Sequence, residues 1–150
     1  DGKPVRGVVY APAMDRMFYG ESLSGAYDMH CPPGGAPDFA EGRQVFAREP
    51  GKDGLVVAIS RSHNDGKTAE YLAAYQVKNF LVAGSSLKFC LIAAGEADLY
   101  PRHGRTMEWD TAAGHAVLAA AGGAVTTVEG KPFHYGKPGF ANPHFIARGL

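Results

Sequence analysis

The stretch Thr106-Met107-Glu108-Trp109-Asp110-Thr111-Ala112-Ala113-Gly114 sets acidic and hydroxyl side chains beside a run of small residues. Here Asp110 is expected to begin a helix. An aspartate at a helix N-cap ordinarily accepts hydrogen bonds from the free amides of the first turn, and spacing alone favours that role. The same geometry can do chemistry. First-turn amides and the helix dipole seat an anion such as phosphate. A carboxylate beside that seat can hold a hard cation, which bridges it to phosphate oxygens. Ala112, Ala113 and Gly114 would let a substrate or a second backbone come close; tight helix packing is their plainer account.

Other residues suit the same anion. Lys88 reads as a compact, mobile cation for a phosphate. Ser85 and Ser86, after Gly84, can donate hydroxyl hydrogen bonds while capping the helix that carries Lys88. Arg102, just past a strand, can fork onto a phosphate or stack on a base. His63 sits in a loop after a strand, a common place for a ligand contact. Taken singly, each has an ordinary explanation as a solvated side chain or a cap. Ser62, His63 and Asp65 are too close in sequence to imply a hydrolase triad, which is a matter of geometry. His30 and Cys31 lack partners at zinc spacing. His103, His134 and His144 read as solvated loop residues, and Trp109 as a packing anchor beside the site.

Positioning these groups falls to alternating strands and helices. Val5–Tyr10, Met17–Gly20 and Gly25–Tyr27 read as antiparallel strands, and residues 31–54, punctuated by Pro and Gly, as mainly loop. From residue 55 the rhythm changes. Leu55–Ile59 is a continuous apolar run, as for a strand buried on both faces. A helix is predicted over Thr68–Val77, capped by Asp65 or Thr68, then a strand at Phe80–Ala83. Leu87, Cys90, Leu91 and Ala94 fall at helical spacing, ended by Gly95. Ala97–Tyr100 reads as a strand stopped by Pro101. The helix from Asp110 packs through Ala113, Ala116, Val117, Ala120 and Ala121. Ala124–Val128 and Phe145–Ala147 are the final strands, with a turn at residues 129–132. The expected class is α/β with helices layered on sheets. Residues 1–54 are expected to be the remnant of an antiparallel α+β part and residues 55–150 an α/β domain.

The 150 residues carry 15 basic and 15 acidic side chains, so no general basic field points to a nucleic-acid polymer. No apolar run is long enough to span a bilayer, so no integral membrane segment is expected. No basic-then-apolar leader pattern opens the chain. Two cysteines make no disulfide framework, and a cytoplasmic setting is the simpler expectation; peripheral contact with an inner membrane stays open. The expected partner is a small molecule, and monomer and homodimer both stay open. The opening Asp1-Gly2-Lys3-Pro4 is turn chemistry without an initiator methionine, which suggests that something preceded it.

The run Trp109-Asp110-Thr111-Ala112-Ala113-Gly114, followed by Ala121-Gly122-Gly123, resembles the second signature of the inositol monophosphatase superfamily. Ser60-Arg61-Ser62-His63, Gly84-Ser85-Ser86-Leu87-Lys88-Phe89-Cys90 and Ala97-Asp98-Leu99-Tyr100-Pro101-Arg102 resemble the 3′(2′),5′-bisphosphate nucleotidases of the bacterial CysQ type. The likeness runs over essentially the whole chain. It implies the layered αβαβα phosphatase fold, here only its C-terminal portion. It also implies hydrolysis of 3′-phosphoadenosine 5′-phosphate to AMP and phosphate, with Mg²⁺ as cofactor. By this resemblance Asp110 is a catalytic residue, a metal ligand and a substrate contact. His63, Gly84, Ser85, Lys88 and Arg102 would contact the nucleotide or its phosphates. Two or three Mg²⁺ ions would generate the nucleophilic hydroxide and steady the leaving oxygen, and lithium would inhibit.

The superfamily's first signature, an Asp-Pro-(Ile/Leu)-Asp-Gly-Thr stretch, and its upstream glutamate are not in these residues. The chain is therefore expected to be part of a longer protein and inactive by itself. Two alternatives stand beside this reading. One is an inositol or fructose bisphosphate phosphatase; the other is a non-catalytic fragment that binds nucleotide without metal.

Overall fold

The computed structural model describes residues 2–60 and 66–150. His63 and the candidate cap Asp65 lie outside the described residues.

Strands β1 (Arg6–Ala11), β2 (Arg16–Glu21), β3 (Gly25–His30) and β4 (Arg43–Val45) form an antiparallel sheet in that order. Alternation decides its faces. Val9, Phe18 and Ala26 turn inward, while Val8 and Tyr10 stay exposed. β4 falls inside the stretch read as loop. Three residues carry no usable periodicity, but pairing with β3 and burial of Val45 make them a strand.

The second sheet has the order β6 (Val77–Val82), β5 (Leu55–Ile59), β7 (Leu99–Arg102), β9 (Phe145–Arg148), β8 (Ala124–Thr127). β6, β5 and β7 run parallel; β9 is antiparallel to β7 and β8. β5 is buried on both faces, as its apolar run predicts. Val56 and Ala58 join one core cluster, and Leu55, Val57 and Ile59 another.

Among the described residues three α-helices complete the layers. α2 (Leu87–Ala93) and α3 (Glu108–Ala120) pack on each other; α3 also meets β1, β2 and β3, and α2 meets β5 and β7. The helical pair is thus sandwiched between the two sheets. α1 (Gly66–Leu72) lies on the opposite face of the mixed sheet, where Leu72 packs with Val57, Leu99 and Ile146. Its middle position explains why α3 buries more than the expected alanine stripe, with Thr111, His115 and Leu118 also inside.

Among the element boundaries that differ from expectation are those of α1, β6 and β7. α1 stops at Leu72, because Val77 pairs with Leu55 and strand pairing outweighs the helical preference of residues 73–77. β6 accordingly begins earlier than expected. β7 runs through Pro101, which pairs with Ile146 on β9. Among the described residues its one register partner on the β5 side is Val57 at Leu99, so Pro101 breaks no pairing there.

Candidate active site

The parallel strands β5, β6 and β7 deliver their C-terminal ends to one crevice, the usual place for a ligand in an α/β sheet. Ser60 follows β5, Gly84 and Ser85 follow β6, and Tyr100 and Arg102 close β7. Lys88 and Phe89 come from α2, Arg105 and Thr106 from the turn after β7, and Asp110 and Thr111 from α3. Together they line a cleft of about 640 Å³. Gly84, Ser85, Lys88, Arg102 and Asp110, all anticipated, therefore share one site. Ser60, Tyr100, Arg105 and Thr111 line it too. Ser60, Tyr100 and Thr111 lie within stretches that carry the family resemblance, whereas nothing in the sequence marked Arg105.

Asp110 is not the N-cap. That position falls on Met107, and Asp110 is the third residue of α3. Its Oδ2 accepts from the Met107 amide at 2.8 Å, the backward reach of an acid at this position. The side chain is exposed at the cleft, and its other oxygen makes no hydrogen bond among the described residues. That oxygen is a hard donor of the kind Mg²⁺ takes. Among the described residues no three His, Cys, Asp or Glu side chains converge on a common point. The donor thus fits Mg²⁺ in kind but contributes one position, the rest falling to water, phosphate or other ligands.

Lys88 is neither mobile nor on the surface. It is 1% exposed. Its Nζ donates to the carbonyls of Ala83 (3.1 Å) and Ser85 (2.9 Å) and lies 4.7 Å from the Tyr100 ring centroid. Burial first, then the charge of Arg102, lowers its pKa from 10.5 to about 8. Ser85 adopts a left-handed φ of 45°, rare for a residue with a side chain. Ser86 occupies the N-cap of α2 but makes no side-chain cap, so the expected hydroxyl capping is not what starts this helix.

Arg102 is also buried, at 8% exposure. Its two terminal nitrogens reach Ser60 Oγ and the Arg105 carbonyl, both at 3.4 Å, long for hydrogen bonds. Its Nε is buried with no hydrogen-bond partner among the described residues. An unpaired buried donor costs about 1–3 kcal/mol, which a ligand could recover.

Behind the cleft the first turns of α3 are fastened from the far side. Glu108 accepts from the amides of Gly136 (2.9 Å) and Lys137 (3.0 Å) and pairs with Lys137 Nζ at 2.6 Å. These donors, Lys137 foremost, hold its carboxyl down to about 2. Thr111 Oγ1 accepts from Tyr135 (3.2 Å) and Asn142 (3.1 Å), and His115 meets the Tyr135 hydroxyl at 3.1 Å. Burial lowers the His115 pKa to about 4. No local pattern signals this brace, because its partners lie far apart in sequence.

The small residues of α3 serve packing. A Cβ on Gly114 would come within 2.8 Å of Phe89, and one on Gly7 of β1 within 2.2 Å of the Ala113 carbonyl. Trp109 is 68% exposed and meets the Phe140 ring 6.2 Å away, so it anchors no core. His103 is not simply solvated either; it bonds Thr68 at 3.1 Å and stacks edgewise on His144.

Comparisons with known proteins agree with this architecture. Residues 1–148 match the model of the inositol monophosphatase family. The chain is 47% identical over 145 residues to the 3′(2′),5′-bisphosphate nucleotidases CysQ of Shigella flexneri and Escherichia coli K12. Each alignment covers 96% of this chain and 54% of the relative, so the chain spans about half the length of these proteins. The crystal structure of CysQ from Bacteroides thetaiotaomicron, a bacterial member of the family, superposes with a TM-score of 0.86 at 34% identity. That superposition covers 99% of this chain and 59% of the other. A layered α/β fold with its cleft at the strand ends and a family match over nearly its whole length lead to one conclusion: the chain belongs to the inositol monophosphatase family.

Proposed function

We propose that the protein built on this chain is a Mg²⁺-dependent phosphomonoesterase that removes the 3′-phosphate of 3′-phosphoadenosine 5′-phosphate, leaving AMP and phosphate. One observation carries the reading. A single cleft gathers the cations Lys88, Arg102 and Arg105 around one exposed carboxylate, Asp110. Direct cations suit a polyanion, and a carboxylate suits a phosphate only through a bridging metal. Similarity to CysQ nucleotidases supports the nucleotide as substrate.

Asp110 would be one ligand of Mg²⁺, which when bound supplies Lewis acidity and neutralises phosphate charge. Arg102 would orient the substrate through its unpartnered Nε edge. Lys88 would add a fixed positive charge to the cleft floor and hold the Gly84–Ser85 turn in shape through two carbonyls. The positive end of α3 adds to the same field. His63 completes the proposed contacts by resemblance. We read residues 1–54 and 55–150 as two parts of the phosphatase, and place the activity in the cytoplasm. Among the described residues no helix is long and apolar enough to cross a membrane.

Because the cleft contributes one carboxylate among the described residues, the 150-residue chain alone is expected to release no phosphate. Joined to the part of the Escherichia coli relative that it does not cover, it is expected to release phosphate from 3′-phosphoadenosine 5′-phosphate faster than from inositol 1-phosphate. The reverse preference would assign an inositol phosphatase. The single carboxylate also favours a second reading for the chain alone, a nucleotide-binding fragment that needs no metal; Mg²⁺-independent binding would support it.

A further inference from the structure

Two chemistries for holding an anion meet in the cleft, and they serve different groups. Asp110 can engage a phosphate only through a cation. The turn after β7 offers guanidinium directly. Arg102, which ends β7 and leads into it, is buried and underpaired, and Arg105 within it is exposed at the cleft. Arg105 makes no side-chain hydrogen bond or ion pair among the described residues.

The turn is folded so that both arginines reach one space. The Arg105 carbonyl accepts from Arg102 Nη2, tying the end of the turn to its beginning. Gly104 lies against the Arg102 guanidinium, where an added Cβ would stand 3.2 Å from Cζ. Most other arginines have taken acidic partners: Arg6 with Glu21, Arg16 with Asp28 and Glu96, Arg43 with Asp28, Arg48 with Asp98. Arg105 is a cation kept available at a site that already holds two more.

We propose that Arg105 is a specificity-determining residue that grips the second phosphate, the one not hydrolysed, and so selects a doubly phosphorylated nucleotide over a singly phosphorylated one. This rests on the nucleotide reading above and adds a residue to it. A ligand with only the hydrolysable phosphate uses the metal-bridged seat and gains little from Arg105. A ligand with two uses both, and a forked guanidinium is the group best shaped for the second.

The test is calorimetric titration of the chain with adenosine 3′,5′-bisphosphate and with adenosine 3′-monophosphate, which keeps only the phosphate to be hydrolysed, both in Mg²⁺. Arg105→Ala is expected to weaken the bisphosphate about tenfold, one lost charged contact, while the monophosphate changes less than about twofold. Arg105→Lys should restore part of the difference, because it keeps the charge without the fork. Equal weakening of both ligands, or none, would overturn the role of Arg105. Failure of the unaltered chain to bind the bisphosphate would instead overturn the nucleotide reading, and this inference with it.

Discussion

Asp98 and Arg102 stand at the two ends of β7, and both are buried charges with opposite treatment. The Asp98 side chain is fully buried and fully used. Its oxygens accept from Arg48 Nε (2.8 Å) and the Val56 amide (2.6 Å), and its backbone joins Val56 and Gly149. Arg102 has two long hydrogen bonds and a buried Nε with no partner among the described residues. A satisfied buried charge fastens segments together. An underpaired one at a cleft is kept at some cost to stability, and a ligand is the natural source of compensation. The sheet thus divides its labour along a single strand, the N-terminal end holding the fold and the C-terminal end facing the cleft.

Substitution at the two ends should separate these roles. Asp98→Ala is expected to destabilise by about 2–3 kcal/mol in denaturant unfolding, the low side for a broken buried pair because half-exposed Arg48 can be resolvated. Arg102→Met should leave stability within about 1 kcal/mol, since an apolar side chain of similar length replaces an underpaired charge. It should nonetheless abolish nucleotide binding. Equal destabilisation by the two changes would erase the contrast.

Gly114→Ala sharpens it within α3. Its Cβ would press on Phe89 and the Ser86 carbonyl, so a loss of about 1–3 kcal/mol is expected from overpacking. Unchanged stability with weakened binding would instead mean that the small residue serves the ligand. The smallest effect concerns Lys88. Its folded pKa lies below the ordinary 10.5, at about 8, so the cleft loses a positive charge as pH rises through that value. Anion affinity should decline there, and an Arg at position 88 should remove the break. Stability should gain with pH between about 8 and 10.5, because the unfolded amine still holds a proton that the folded one has shed. Thermal unfolding against pH, compared with Lys88→Met, checks the sign.

Much of the fold was legible from periodicity alone. β5 was readable from its run of apolar residues and α2 from helical spacing closed by Gly95. Gly84, Ser85, Lys88, Arg102 and Asp110 were legible as candidates because the stretches that carry them resemble a known family's; Gly84 apart, their residue types also suit a phosphate or its metal. That they share one cleft follows from strand order, which no local pattern encodes. What stayed hidden was of two kinds. Short or edge features such as β4 and Pro101 within β7 depend on a partner strand far away in sequence. Charge partnerships such as Glu108 with Lys137, or Arg48 with Asp98, join residues whose spacing has no period. Lys88 was misread for the same reason, since its burial comes from long-range packing of α2 between two sheets.

In the proposed site, Asp110 and the cationic cleft together hold a phosphorylated nucleotide through Mg²⁺. The decisive measurement is calorimetric titration of the chain with adenosine 3′,5′-bisphosphate, with and without Mg²⁺, in the unaltered protein and in Asp110→Asn. Mg²⁺ is expected to tighten binding by about tenfold or more in the unaltered chain and to have no effect in the variant, both remaining folded. Binding that ignores both Mg²⁺ and the substitution would rule out a metal-bridged phosphate and leave Asp110 as nothing more than the helix-start acceptor of the Met107 amide.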